Sequence, residues 1–284
     1  MRLNLDHNFY KKMYPELKDL TNHNLEKHYK LYGSKERRII NINEFLKQYP
    51  QFNYRWYIEN IRRDIQDCII YYYNVIINIK KKNFYIGKPI ITFILPTIGR
   101  EHLIKSINSV YQQTVSNWNL IVLFDGMEST IKSPRLQRDQ RINILNGGPK
   151  LGKIKKDHNN AGDVRNRAFK WVQSEWIGFI DDDDLLERNY IESLLLEIET
   201  DPSLELIIFR MRHCRNNDLI VPPLECNQII KNQVGISFCF RRDLLERYDL
   251  KFNNDEHEDY LFLIDMIKRG VCYKLSEKIV YIFK

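Results

Sequence analysis

Four consecutive aspartates, Asp181–Asp184, end an apolar run in the stretch "SEWIGFIDDDDLLERNY" (174–190). Because side chains alternate along an extended chain, we expect the first and third carboxylates to point one way and the second and fourth the other. Like charges about 7 Å apart repel by about 2 kcal/mol at an effective dielectric constant near 20. Helix capping explains one or two of these residues but not four. A hard divalent cation would turn the repulsion into attraction, so the run predicts a metal site.

Two other stretches offer polar groups for a ligand. "FDGMEST" (124–130) places Asp125 in an Asp-Gly turn after an apolar run, and "AGDVRNRAF" (161–169) places Arg165 near a helix start. An Asp-Gly pair is most often only a turn, but the position at a strand end also suits a ligand-facing carboxylate. The free N–H groups of a helix start suit a phosphate, to which Arg165 can add a bidentate contact. An ordinary exposed helix is the alternative.

A third candidate is the pair Glu258 and Asp259 in "FNNDEHEDYLFLIDMIKRG" (252–270). Acidic residues at a helix start are favourable through the helix dipole alone. A carboxylate brought to a cleft can instead act as a general base. The preceding His257 is a lone histidine, more typical of a surface or capping residue than of a metal ligand. From the residues alone, both interpretations of the pair stay open.

The apolar periodicity predicts the elements that position these residues. Apolar runs of strand length occupy 90–95, 119–124, 141–145 and 176–180, and helical patterns include 162–173 and 187–199. Strands that alternate with helices predict an α/β fold with a mostly parallel sheet. Ligands bind beyond the carboxyl ends of such strands, and the aspartate run follows the fourth strand.

Residues 1–86 have helical apolar spacing, and we expect a helical N-terminal extension before an α/β domain at 87–284. The net charge of +7 arises here, because residues 1–89 hold 17 Lys and Arg against 9 Asp and Glu. A solvated lysine-rich surface explains this surplus better than nucleic acid does, and we expect no nucleic-acid partner. The stretch "CIIYYYNVIINIKKK" (68–82) fits a buried helix, or peripheral contact with a membrane interface.

Composition narrows the class of protein further. The five cysteines are widely spaced without a C-x-x-C pair, which predicts reduced thiols and a cytoplasmic location. Neither a signal peptide nor a transmembrane segment is expected. The chain lacks G-x-G-x-x-G after the first strand and lacks the Walker, G-x-S-x-G and H-E-x-x-H motifs, which argues against dinucleotide, P-loop, α/β-hydrolase and zincin sites.

Taken in order, these stretches resemble the family 2 glycosyltransferases of the GT-A fold. The resemblance covers about 88–284 and is carried by "ITFILPTIGREHLIKSINSVYQQT", "NLIVLFDG", "GDVRNRAF", "SEWIGFIDDDDLL" and "FRRDLLERYDLKF" with "HEDYLFLIDMIKRG". It implies inverting transfer of a sugar from a nucleotide-diphosphate donor, a UDP-sugar by default, to a hydroxyl of a glycan, protein or lipid. "HYKLYGSKERR" (28–38) looks like a helical repeat that accompanies some bacterial glycosyltransferases, and we expect it to dock an acceptor or partner.

The resemblance also implies a role for each candidate residue. On the donor side it implies nucleotide or sugar contacts for Pro96, Thr97, Asp125, Arg165, Asp181 and Asp182. Asp183 would bind Mn²⁺ or Mg²⁺, and Asp184 would bind the metal or the donor sugar. Asp259 would be the catalytic base, with Glu258 beside it to steer the acceptor. The aspartate cluster alone leaves a two-metal phosphoryl-transfer enzyme open, and a non-catalytic binding module is a third class.

Overall fold

The computed structural model describes residues 4–35, 38–48, 64–71, 73, 89–146, 148–154, 159–216, 219–253 and 257–284. The chain divides into two compact units, Met1–Ile79 and Lys80–Lys284. The expected boundary between 86 and 87 falls outside the described residues, and the assignment of separate roles to the two parts stays a prediction.

The first unit is helical, as expected. Its described helices are α1 (His7–Met13), α2 (Asn22–His28), α3 (Ile42–Gln48) and α4 (Ile65–Tyr71), with a 3₁₀ helix at Pro15–Leu17 and a π-helical turn at Tyr29–Gly33. Both α1 and α3 begin with a side-chain cap, because Asp6 accepts from the Phe9 amide and Asn41 from the Glu44 amide. These two helices therefore begin in the same way.

The stretch 28–38 contributes the end of α2 and the π-helical turn. Gly33 lies so close to its neighbours that an added Cβ would stand 2.5 Å from the Tyr10 hydroxyl oxygen and 2.6 Å from Tyr29 Cδ2. A larger residue would not fit there without movement. Of the stretch 68–82, only 68–71 and 73 are described. In the described part of the chain, every helix is too short or too polar to cross a membrane.

The second unit is built on a sheet of nine described strands: β1 (Ile91–Thr97), β2 (Trp118–Phe124), β3 (Ile142–Leu145), β6 (Trp176–Phe179), β7 (Leu185–Leu186), β8 (Leu206–His213), β9 (Ile220–Val221), β10 (Phe238–Arg241) and β11 (Tyr273–Phe283). Their order in the sheet is β3-β2-β1-β6-β10-β8-β11-β7, with β9 paired to β8. A separate two-stranded ladder joins β4 (Lys153–Ile154) to β5 (Asn159–Asn160). The four strands expected from apolar runs are confirmed to within two residues.

Helices flank this sheet and confirm the expected architecture. They are α5 (Leu103–Tyr111), α6 (Pro134–Arg138), α7 (Gly162–Ala168), α8 (Tyr190–Thr200), α9 (Asp243–Tyr248) and α10 (Glu258–Lys268). Strands β3, β2, β1 and β6 are mutually parallel, and β10 is antiparallel to both β6 and β8. All seven residues of β1 are buried, which explains its unbroken apolar sequence.

An aromatic cluster fixes the helices that carry the candidate site. Six phenylalanines from β6, β10 and the segments around α7 and α10 contact one another: Phe169, Phe179, Phe238, Phe240, Phe252 and Phe262. The rings of Phe252 and Phe262 stack with centroids 4.0 Å apart and planes 9° apart. Such aromatic pairs stabilise the fold by about 0.5–1.5 kcal/mol beyond the contribution of their buried surface area. The start of α10 is therefore held firmly against the sheet.

Candidate active site

The candidate residues lie where neighbouring parallel strands end. Strand β1 pairs in parallel with β2 on one side and with β6 on the other, so Thr97, Phe124 and Phe179 mark one edge of the sheet. Asp125 follows β2 directly, and the aspartate run begins two residues after β6. The run thus lies beyond carboxyl strand ends, as predicted.

Burial alternates along the run. The side chains of Asp181 and Asp183 are 36% and 30% exposed, whereas Asp182 and Asp184 are buried. The Asp184 amide donates to the Asp181 carbonyl at 3.1 Å, so the segment is a turn rather than a continued strand. The alternation expected for an extended chain is nevertheless found.

One group of contacts joins the run to the end of β1. The Thr97 hydroxyl donates to Asp182 Oδ2 at 2.6 Å, and Arg100 Nη1 lies 3.0 Å from both Asp182 Oδ1 and Asp183 Oδ2. Burial raises the pKa of Asp182, while Thr97 and Arg100 act to lower it. Arg100 has no predicted role, although it stands just after β1 in "PTIGRE". Its position just beyond the end of β1 was the feature of the sequence from which a role in the site could have been predicted.

A second group of contacts converges on Arg165, whose side chain is only 3% exposed. Its Nη2 donates to Asp181 Oδ1 at 2.7 Å, and its Nη1 donates to Glu258 and, at 3.4 Å, to Asp259 Oδ1. Burial lowers the pKa of Arg165, but the three carboxylates outweigh it and raise that pKa well above its usual value. One guanidinium thus brings together the aspartate run and the Glu-Asp pair.

Glu258 also connects this group of contacts around Arg165 to the start of α7. Its carboxylate accepts from the Ala161 amide at 3.1 Å and from the Gly162 amide at 2.7 Å, as well as from Arg165. These are the N–H groups that the sequence suggested for phosphate, and a carboxylate of the chain itself satisfies them. Burial raises the pKa of Glu258, and Arg165 and the two amides oppose the rise.

The pKa of Asp259 is raised above its ordinary value. Burial is the main cause that raises its pKa from 3.8 to about 7, and the charges of Asp181 and Glu258 add to the rise while Arg165 opposes it. A quarter of the side chain is exposed, so a substrate hydroxyl can approach it. A carboxylate with a pKa near the working pH is suited to accept a proton.

The fit to a divalent cation depends on Asp183 and Asp184. Burial, together with the charges of Asp181 and Asp183, raises the pKa of Asp184 to about 8. Asp184 also accepts from the Lys284 amide at 3.1 Å. Among the described residues, no three His, Cys, Asp or Glu side chains form a cluster that could hold a metal by themselves. Two neighbouring hard carboxylate ligands fit Mg²⁺ or Mn²⁺, which commonly take one or two carboxylates plus substrate phosphates.

The remaining predicted residues lie along the same edge. Asp125 accepts from the Leu151 amide at 2.6 Å and the Gly152 amide at 2.8 Å, which ties this loop to the end of β2. Pro96 is buried within β1. His257 precedes α10 with φ of 66°. Direct contacts of Pro96, Thr97 and Asp125 with a nucleotide stay predictions.

A separate cavity of about 360 Å³ lies elsewhere in the second unit. Its walls include Arg141 and Asn143 near β3 and Trp171 after α7. It is lined by none of the candidate residues, so it is not part of this site.

Comparison with known sequences gives a consistent family. The family model described as "Glycosyl transferase family 2" matches residues 92–255. The chain is 27% identical over 188 residues to the Escherichia coli UDP-Glc:alpha-D-GlcNAc-diphosphoundecaprenol beta-1,3-glucosyltransferase WfgD. This match covers 63% of this chain and 70% of WfgD. It is 23% identical over 214 residues to the Staphylococcus aureus poly(ribitol-phosphate) beta-N-acetylglucosaminyltransferase TarP, covering 67% of this chain and 61% of TarP.

Solved structures support the fold. S. aureus TarS 1–349 in complex with UDP-GlcNAc superposes with a TM-score of 0.56 at 18% identity, covering 68% of this chain and 58% of TarS 1–349. The Pyrobaculum calidifontis mannosyltransferase PcManGT in complex with GDP-Man and Mn²⁺ gives a TM-score of 0.52 at 20% identity, covering 69% and 57%. The chain therefore spans less than two thirds of these two structures and of TarP. The fold that these neighbours share with this chain is GT-A-like.

Proposed function

The chain belongs to glycosyl transferase family 2, and we propose that it transfers a hexosyl or N-acetylhexosaminyl group from a UDP-sugar to an acceptor hydroxyl with inversion. The observation that carries this proposal is the Arg165 hub, which joins Asp181 at a strand end to Asp259 at the start of α10. A donor held over the strand ends would lie beside a carboxylate able to accept a proton. The name of WfgD includes UDP-Glc, and the TarS structure holds UDP-GlcNAc, which supports a uridine nucleotide as the donor.

Asp259 is proposed to remove the proton of the acceptor hydroxyl as its oxygen attacks the anomeric carbon. Arg165 favours the ionised form of Asp259 and fixes its side chain, while Glu258 holds Arg165 and the start of α7 in place. The terminal nitrogens of Arg165 already donate to carboxylates, so we propose that it acts through Asp259. A direct contact of Arg165 with the donor phosphates stays a prediction.

The donor is proposed to lie across Thr97, Asp125 and Asp181, with Pro96 and Asp182 beneath it. Asp183 and Asp184 would hold Mn²⁺ or Mg²⁺ against its diphosphate. When bound there, a divalent cation supplies Lewis-acid stabilisation of the charge that develops on the leaving nucleoside diphosphate. Asp182 is buried and bonded to Thr97, so its proposed part is to orient the run.

A panel of nucleotide sugars with Mn²⁺ tests the proposal. Release of UDP from a UDP-hexose or UDP-N-acetylhexosamine, increased by an acceptor and abolished by chelation, is the expected result. Release of inorganic phosphate instead would support phosphoryl transfer. Nucleotide binding without turnover of any sugar would support a binding module. Asp265→Asn, on the outer surface of α10 where Asp265 pairs with Arg269, provides a matched control that should keep the wild-type rate.

The acceptor is proposed to be a hydroxyl on a glycan, protein or lipid. WfgD is named for a diphosphoundecaprenol-linked acceptor and TarP for poly(ribitol-phosphate). These two names differ in acceptor while both proteins transfer sugars, so the acceptor must be found with a chemically varied set. The panel above should therefore include free sugars, a polyol phosphate and a lipid-linked sugar.

A further inference from the structure

Arg100 is a charged residue at the proposed donor site that the mechanism above does not use. It follows the turn in which the Gly99 amide donates to Thr97 Oγ1 at 2.9 Å and Gly99 has φ of 78°. This left-handed conformation favours glycine and directs the chain from β1 back toward the aspartate run. Arg100 Nη1 then bridges Asp182 Oδ1 and Asp183 Oδ2, both at 3.0 Å.

Arg100 supplies positive charge between two neighbouring carboxylates that would otherwise repel each other. Asp182 has a second partner in Thr97, whereas Asp183 has only Arg100 as an ion-pair or hydrogen-bond partner among the described residues. A third of the Arg100 side chain is exposed, and only its Nη1 makes a hydrogen bond in the described part of the chain. Its other guanidinium N–H groups are available to a ligand.

We propose that Arg100 is a donor-binding residue that neutralises Asp183 in the donor-free protein and leaves it for the donor diphosphate when a divalent cation binds. This inference rests on the proposed function of the site. A guanidinium and a metal cation bound to one carboxylate repel each other, so each weakens the binding of the other. A diphosphate offers the released guanidinium the planar, bidentate geometry that it prefers.

The proposal separates two binding events that can be measured without turnover. Arg100→Gln removes the competitor for Asp183, so Mn²⁺ should bind the nucleotide-free protein about two- to fivefold more tightly, the range expected for a partly exposed ion pair. The same change removes a phosphate contact, so UDP should bind about three- to tenfold more weakly at saturating Mn²⁺. Free Mn²⁺ is followed by electron paramagnetic resonance, and UDP binding by calorimetry.

Two further variants keep the test interpretable. Arg188→Gln removes an exposed arginine beyond the run that has no ion pair among the described residues, and it should change neither affinity. Arg100→Lys keeps one charge without the fork and should bind Mn²⁺ like the wild type but UDP more weakly. A thermal melt verifies that each variant is folded.

The outcomes distinguish this inference from the function on which it rests. Tighter Mn²⁺ binding together with weaker UDP binding in Arg100→Gln supports the exchange. An unchanged Mn²⁺ affinity, or an unchanged UDP affinity, overturns it while wild-type sugar transfer still supports the proposed function. Failure of the wild type to turn over any nucleotide sugar refutes the function itself, whatever Arg100→Gln does.

Discussion

Two arginines hold the carboxylates of the candidate site, and they differ most in burial. Arg165 is 3% exposed and donates to three carboxylates from two separate segments. Arg100 is 33% exposed and contacts two neighbouring carboxylates of a single run. We call Arg165 with Asp181, Glu258 and Asp259 the Arg165 hub, and Arg100 with Asp182 and Asp183 the Arg100 hub. Both lie at the same edge of the sheet, yet only the Arg165 guanidinium is closed to solvent.

This difference divides the site into a fixed hub around Arg165 and an exchangeable hub around Arg100. Removing one partner of a buried ion pair costs about 3–5 kcal/mol, because a charge is left unpaired in a poorly polar environment. An exposed pair contributes only about 0–1 kcal/mol. The proposed base is attached to the fixed hub, where its position matters. The proposed metal ligand is attached to the exchangeable hub, where a ligand must replace a partner.

The largest effect is expected for Asp259→Asn, which removes the proposed base from the fixed hub. We expect kcat to fall by about 10³-fold, within the range for general-base catalysis, because the amide cannot accept the proton. UDP affinity at saturating Mn²⁺ should stay within about twofold, since the donor side is untouched. Steady-state kinetics and calorimetry measure both quantities. A large loss of UDP affinity would instead assign Asp259 to donor binding.

The second largest effect is expected for the loss of Arg165, the centre of the fixed hub, and it should appear as a loss of stability. Arg165→Gln leaves Asp181, Glu258 and Asp259 without their shared cation, and the free energy of unfolding should fall by about 3 kcal/mol. Urea denaturation at pH 8 measures this change. Arg188→Gln should cost less than about 0.5 kcal/mol as a surface substitution. Equal effects of the two variants would show that the hub does not support the fold.

The acid side of the pH profile tests the state of Asp259. Because burial raises its pKa to about 7, kcat/KM should fall about tenfold per pH unit below that value as the base is protonated.

The same raised pKa affects stability. The folded-state pKa of Asp259 exceeds the ordinary 3.8, so the contribution of this group to stability is lost as pH rises from about 4 to 7. Asp259→Asn should therefore gain stability relative to the wild type over that window. UDP binding measured at each pH separates this effect from the metal site, and an acid limb centred below pH 5 would contradict the assignment.

The contact between Glu258 and the start of α7 can be broken through the backbone. In Gly162→Ala, the new Cβ would stand 2.7 Å from Glu258 Oε2 and 2.9 Å from both the Asn253 carbonyl oxygen and Phe252 Cβ. Since backbone atoms cannot easily move away, we expect a loss of about 1–3 kcal/mol in unfolding free energy. Gly235→Ala is a matched control, because its Cβ would meet only the flexible end of Met211. Similar small losses in both would mean that α7 shifts freely.

The expected strands and helices could be derived from the sequence because their signals are local. An unbroken apolar run such as Ile91–Thr97 indicates a strand buried on both faces, whatever the rest of the chain does. No strand was expected at Leu206–His213 or Tyr273–Phe283, where charged residues interrupt the pattern. Arg210 lies in the first of these strands and is fully buried, because the carbonyl groups of Pro222, Pro223 and Cys226 accept its N–H groups.

The two hubs could not be derived in the same way. Arg165 and Asp259 are 94 residues apart in the chain, and Arg100 and Asp183 are 83 apart. Their contacts follow from the order of strands in the sheet and from the packing of α10, neither of which is encoded in the local spacing. The family resemblance supplied candidate roles for Arg165 and Glu258. It gave no sign that Glu258 would satisfy the amides at the start of α7.

The smallest effect on stability is expected for Arg100→Gln, and it is the sharpest test of the exchangeable hub. Because its ion pairs are partly exposed and Asp182 keeps its bond to Thr97, the free energy of unfolding should change by less than about 1 kcal/mol. Saturating Mn²⁺ should stabilise this variant more than it stabilises the wild type, since the cation no longer competes with a guanidinium. Thermal melts with and without Mn²⁺ measure both changes, with Arg188→Gln as the reference. A loss near that of Arg165→Gln would mean that Arg100 is a fixed structural residue, and the contrast between the two hubs would then be wrong.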